Sequence, residues 1–168
     1  MRPGRIRRFL GKLGGDHLLV RMEQPQQWVQ VIRQDEFLTA MLLRLAGPET
    51  LCSLEGDLGH YALPNVVSRD EAGALRRHTL WPRRDFAILR LDPETAKHLV
   101  QQLAADPNRA VDVEHIQIER RGLLAMGGYD GLDATWVGAS LPRMELNNLV
   151  EAGIIKLKNI DWTSEKDQ

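Results

Sequence analysis

A single cysteine, Cys52, is all the thiol chemistry this chain has. One thiol forms no internal disulfide and supports no zinc site built on thiolates, a pattern that suits a reducing cytosol. Cys52 lies in the strand-like run TLCSLEG, where a buried inert thiol is expected rather than a nucleophile. Long apolar runs are also missing. None approaches the roughly 20 residues needed to cross a bilayer. The basic N-terminal stretch is interrupted by Lys12 and Asp16, which does not fit a secretory signal. A soluble, cytoplasmic protein without a membrane span is expected.

Excess charge of one sign is lacking too. Lysine and arginine total 22 against 23 acids, a net charge of -1. The molecule as a whole therefore exerts no strong field on nucleic acid or an anionic membrane, and any such role falls to a local patch. Nucleotide-binding signatures are absent. GRIRRFLGKL ends in Gly-Lys, but Leu13 stands where a P-loop needs Ser or Thr, and no G-x-G-x-x-G follows a strand. Serine-hydrolase chemistry fails on spacing. Ser140 has Gly138 before it but Pro142 where the second glycine of the nucleophile turn belongs, so it reads as a helix cap. Asp130 and Asp133 in GGYDGLDATW lack the alternate acids and terminal Glu of a calcium loop.

What is present is ordinary globular composition, 43% hydrophobic and 27% charged over 168 residues, enough for one domain with its own core. The organisation expected is a basic amphipathic segment over 1–15, one α+β domain over 16–160 and a polar tail over 161–168. In the first segment Ile6, Phe9, Leu10 and Leu13 recur at helical spacing amid Arg2, Arg5, Arg7, Arg8 and Lys12. DEFLTAMLLRLAG predicts a core helix with Asp35 as N-cap, and DPETAKHLVQQLAAD a second with Asp92 as cap and Pro93 at N1. LPRMELNNLVEAG predicts a third helix with Ser140 as cap. ETLCSLEG, DFAILRL and IIKLKNI read as strands, and AVDVEHIQIE turns through RRG into LLAMGGY as a hairpin over about residues 112–129. The fold class expected is α+β: a mixed β-sheet that includes this antiparallel hairpin, with at least three packed helices.

Two clusters of His and carboxylate invite catalytic or metal readings: Glu55, Asp57 and His60 after a strand, and His115 with Glu119 on one face of another. Neither has a recognised ligand spacing. Gln117 lies between His115 and Glu119, and the simple reading of all three is the solvent side of a half-buried strand, since Ile116 and Ile118 take the other side. The most unusual composition lies in LRRHTLWPRRDF, at the end of a long irregular stretch from Asp57 to Pro82. It offers Arg76, Arg77, His78, Trp81, Arg83 and Arg84 as binding residues, either for phosphates and bases or for a protein surface. The plainest alternative is a solvated loop whose Trp81 folds back onto the core. No assembled catalytic motif or cofactor set accompanies these residues. The expectation is therefore a non-catalytic cytosolic protein that binds another protein, as an accessory, inhibitor or immunity-type module. Alternatives are a small hydrolase or metal-dependent enzyme using a His/carboxylate cluster, and nucleic-acid binding through the arginine patch. Edge pairing into a homodimer is open, although Lys156 and Lys158 discourage it.

Overall fold

The computed structural model describes residues 21–159. The basic segment read over 1–15 and the tail read over 161–168 lie outside the described residues. The chain runs β1 (Gln27–Val31), α1 (Gln34–Leu45), β2 (Thr50–Gly56), β3 (Val66–Ser68), β4 (Asp85–Arg90), α2 (Pro93–Ala105), a short 3-10 turn (Pro107–Asp112), β5 (Val113–Arg120), β6 (Leu123–Tyr129), β7 (Ala134–Val137), α3 (Arg143–Glu151) and β8 (Ile155–Leu157). All eight strands form one sheet in the order β3-β4-β2-β5-β6-β7-β1-β8.

Every pairing between these strands is antiparallel. The sheet is thus not mixed, as the interleaving of strands and helices had suggested. The difference is one of connection. A parallel neighbour needs a crossover that carries the chain back to its starting end. Here α2 and the 3-10 turn return the chain from β4 to β5 on the far side of β2, so both flank β2 antiparallel.

The period-two alternation of the strands defines two faces. Cys52 and Leu54, Ala87 and Leu89, Ile116 and Ile118, Met126, Val137 and Val29 pack on one side. Phe37, Leu38, Met41, Leu42 and Leu45 of α1 cover them, together with Ala96, Leu99 and Leu103 of α2. Helix α2 is begun by Asp92, whose carboxylate accepts from the Thr95 amide at 2.8 Å, with Pro93 in the first turn. Helix α1 starts two residues earlier than Asp35 would allow as a cap. Arg33 holds the extended N-cap position without a side-chain cap, and Asp35 falls in the first turn, where its charge suits the helix dipole. Cys52 is fully buried here, and burial pushes its thiol up to about 12, far from thiolate chemistry.

Among the described residues, no helix packs on the opposite face. Its centre holds Leu75, Phe86, Ile88, Leu124, Tyr129, Ala134 and Trp136, covered by the irregular segment that precedes β4. Both sheet edges, β3 and β8, are three residues long. Short edges offer little backbone for a further strand, and β8 adds Lys156.

A candidate binding loop clamped to the polar face of the sheet

On this second face the side chains of β2 and β5 that alternate away from the helices are Ser53, Glu55, His115 and Gln117. Glu55 pairs with His115 and Ser53 with Gln117 across the two strands. The sequence reading placed His115 and Gln117 on a solvated side, and the structure corrects this. Relative exposure is 5% for His115, 1% for Gln117 and 1% for Glu55. The segment from Ala72 onward lies over them. Ala72 and Leu75 close a tight turn with reciprocal backbone hydrogen bonds, and the Leu75 side chain is fully buried.

A segment lying on a sheet face cannot use a ladder, so its buried N–H groups need other acceptors. The polar residues provide them. The Arg76 amide donates to Gln117 Oε1 at 2.9 Å. The His78 and Thr79 amides donate to the two oxygens of Glu55, at 2.8 and 3.0 Å. Gln117 Nε2 in turn donates to the Tyr129 hydroxyl at 3.1 Å, and Ser53 Oγ to Gln117 Oε1 at 3.4 Å. Gly127 makes room for this layer, since a Cβ there would lie 2.5 Å from the Tyr129 hydroxyl and 2.7 Å from Trp136 Nε1. The run SRDEAGALRR forms no helix, because these tertiary acceptors compete with local helical bonding.

Two imidazoles sit in the layer. The His78 ring meets Tyr129 edge-on with centroids 4.6 Å apart, and lies 5.5 Å from the ring of His115. The Asp130 amide donates to His115 Nδ1 at 3.1 Å, which makes Nδ1 the acceptor and leaves the proton on Nε2. Nε2 then donates to Thr79 Oγ1 at 2.8 Å, and that hydroxyl points on to Glu114 Oε2 at 3.5 Å. A hydroxyl nucleophile needs an imidazole that takes its proton; here the imidazole gives one. The arrangement fixes a loop rather than activating Thr79.

The charge state of both rings follows from burial. Desolvation, helped by His115, pushes His78 down to about 4. Desolvation also lowers His115, outweighing Glu55, Asp130 and Glu114, which favour the imidazolium. Above about pH 6.5 both rings are neutral folded and unfolded, and neither titration affects stability. Below it the unfolded chain binds protons that the folded chain refuses, so stability falls as pH drops towards about 4. For His78 that window corresponds to on the order of 3 kcal/mol, at about 1.4 kcal/mol per pH unit. Urea midpoints measured between pH 7 and pH 4.5 (about the span where the effect accumulates) should fall steadily in the wild type and less steeply in His78→Gln. Identical slopes would contradict neutral burial of His78.

The other sequence candidates separate. Asp57 and His60 are exposed, whereas Glu55 is turned under the loop, so that triplet does not converge. Among the described residues, no three His, Cys, Asp or Glu side chains lie close enough together to hold a metal ion. Ser140 caps no helix: its amide donates to Glu23 Oε1 at 2.8 Å and its hydroxyl bonds the same carboxylate.

Of the six loop residues picked out by composition, His78 is half-buried, its ring set edge-on against Tyr129. Arg77 is a strut. Its guanidinium lies 4.8 Å over the Phe86 ring, and its two terminal nitrogens donate to the Arg84 and Arg69 carbonyls at 2.8 and 3.3 Å. Arg76 pairs with Glu71 at 3.7 Å and Arg84 with Glu114 at 2.9 Å. Trp81 does not fold back onto the core. It is 86% exposed, and Leu80 beside it is 78% exposed. Composition singled out the loop, but the residues that hold it, Glu55 and Gln117, were divided between two unrelated clusters. The one available signal was polar residues repeating at every second position of two strands in apolar surroundings.

Comparison with protein-family models, with curated proteins and with solved structures finds no match for this chain.

Proposed function

We propose that the chain acts without catalysis, as a cytosolic accessory, inhibitor or immunity-type module that binds another protein through the loop around Trp81. The observation that carries the reading is the exposure of Leu80 and Trp81 directly after a stem whose amides are tied to Glu55 and Gln117. Single exposed apolar residues are normal at protein surfaces. Two in succession, at the end of a stem that cannot relax to cover them, are a different matter. Tryptophan and arginine dominate the energetics of protein interfaces, and ordering the contact residues beforehand removes part of the entropic cost of association. The clamp performs that ordering.

The test is capture of a partner from the native cell by the full chain, followed by affinity measurement with the purified partner. Trp81→Ala should weaken binding by about 2 kcal/mol or more, roughly 30-fold, as truncation of an interface anchor does. Its unfolding midpoint should barely move, because so exposed a side chain supports no packing. A partner that binds Trp81→Ala as tightly as the wild type would overturn the reading.

A further inference from the structure

Beside the Leu80–Trp81 tip the surface opens into a pocket of about 370 Å³ lined by Arg69, Arg77, Arg83, Arg84, Asp85 and Phe86. Four guanidinium groups bordering one recess repel one another unless something offsets them, and only part of their charge is offset internally. Arg84 has Glu114. Asp85 is engaged through Oδ2 by the Leu58 amide at 3.3 Å. Arg69 and Arg83 form no ion pair among the described residues. Arg77 supplies the geometry. Stacked on Phe86 and bonded to the carbonyls of Arg69 and Arg84, it ties together the two backbone segments from which those arginines project. The recess is thus framed by a fixed strut, and among the described residues the guanidinium donors of Arg69 and Arg83 are left unclaimed.

We infer that this pocket receives carboxylate side chains from an acidic segment of the partner protein, seated next to the contact made by Leu80 and Trp81. This rests on the protein-binding reading above and gives the partner its chemistry. Guanidinium forks pair with carboxylate and phosphate oxygens alike. The surroundings favour the acidic peptide. Leu80 and Trp81, both exposed and within three residues of Arg83 in the chain, call for apolar side chains in the ligand, which a peptide carries and a bare phosphate does not. Asp85 and Glu114 also limit the local positive charge, and the chain's net charge of -1 supplies no general attraction for a polyanion.

The probes are hexaglutamate, a glutamate–leucine peptide of the same length, and inorganic pyrophosphate, each titrated into the full chain while backbone resonances are followed. Both peptides should bind saturably, with shifts centred on residues 69 and 77–86, and the mixed peptide should bind more tightly. Arg69→Glu and Arg83→Glu should each weaken peptide binding about tenfold or more. Arg143→Glu, an exposed change on α3, should leave it unaltered and so controls for net charge. Trp81→Ala should weaken the mixed peptide but not hexaglutamate. That separates failure of the pocket from failure of the Trp81 contact. Saturable binding of pyrophosphate with no binding of either peptide would overturn the proposal, as would peptide binding lost equally in Arg143→Glu.

Discussion

Glu55→Ala should cost about 3–5 kcal/mol of stability and free the loop over residues 75–79. The reasoning concerns what remains behind. Glu55 is nearly inaccessible, and its two oxygens accept from the His78 and Thr79 amides. A hydrogen bond to a charged acceptor contributes about 1.5–3 kcal/mol, and an orphaned buried donor adds its own desolvation penalty. Two such bonds form a large share of the roughly 5–15 kcal/mol that holds a domain together. Burying a carboxylate is itself expensive, which is why the outcome depends on the substitution. Glu55→Gln keeps one acceptor oxygen but turns an NH2 towards the second amide, so it should fall between wild type and alanine. Urea unfolding gives the size of the loss. Trypsin gives its location, because Arg76, Arg77, Arg83 and Arg84 become cleavable before the rest of the domain opens. A loss under about 1 kcal/mol for Glu55→Ala would mean that the amides find other partners.

Gly56→Ala, one residue further on, should be at least as damaging for a different reason. Here β2 and β5 change register, and the Asp57 amide bonds the Asp112 carbonyl at 2.9 Å. A Cβ on Gly56 would lie 2.0 Å from that carbonyl oxygen and 2.9 Å from the Glu114 nitrogen, with φ at +152°. Both obstacles are backbone, so no rotamer change relieves the clash. The two strands must move apart, and that disturbs the segment bearing Glu55, Glu114 and His115. A cost of about 4 kcal/mol or more is expected, in the range reserved for severe steric conflict. Gly122→Ala provides the contrast. Its φ is +81°, but nothing lies within 4 Å of the added Cβ. It should cost only about 1–2 kcal/mol of backbone strain. Calorimetric midpoints of the two variants separate the effects, and equal losses would assign the whole penalty to φ.

Gly56 and Glu55 also show where sequence reasoning reaches and where it stops. The alternation Leu51, Ser53 against Cys52, Leu54 identifies β2 and its two faces, because the period of a strand is written in neighbouring residues. Asp92 and Pro93 identify the start of α2 in the same way, through a cap three residues from its donor. Alternation in β5 likewise separates Ile116 and Ile118 from His115 and Gln117. It does not say that a segment some 40 residues earlier in the chain covers the polar side. The solvated reading followed from treating one strand alone, and so did the grouping of Glu55 with Asp57 and His60 after a strand. Ser140 is similar: its local context suits a cap, but Glu23, distant in sequence, takes the hydroxyl. LRRHTLWPRRDF was visible by composition, while its division into a buried stem and an exposed tip depends on Glu55 and Gln117.

The central claim, that this tip is the surface which meets a protein, is tested most directly by photo-crosslinking from within the native cell. A benzophenone amino acid replaces Trp81 in one full-length variant and Leu43, an exposed apolar residue of α1, in another. Position 81 should yield one dominant adduct with a second protein, weakened by Arg83→Glu in the same chain, and position 43 should yield none. Equal adducts from both positions, or none from position 81 in a folded protein, would contradict it.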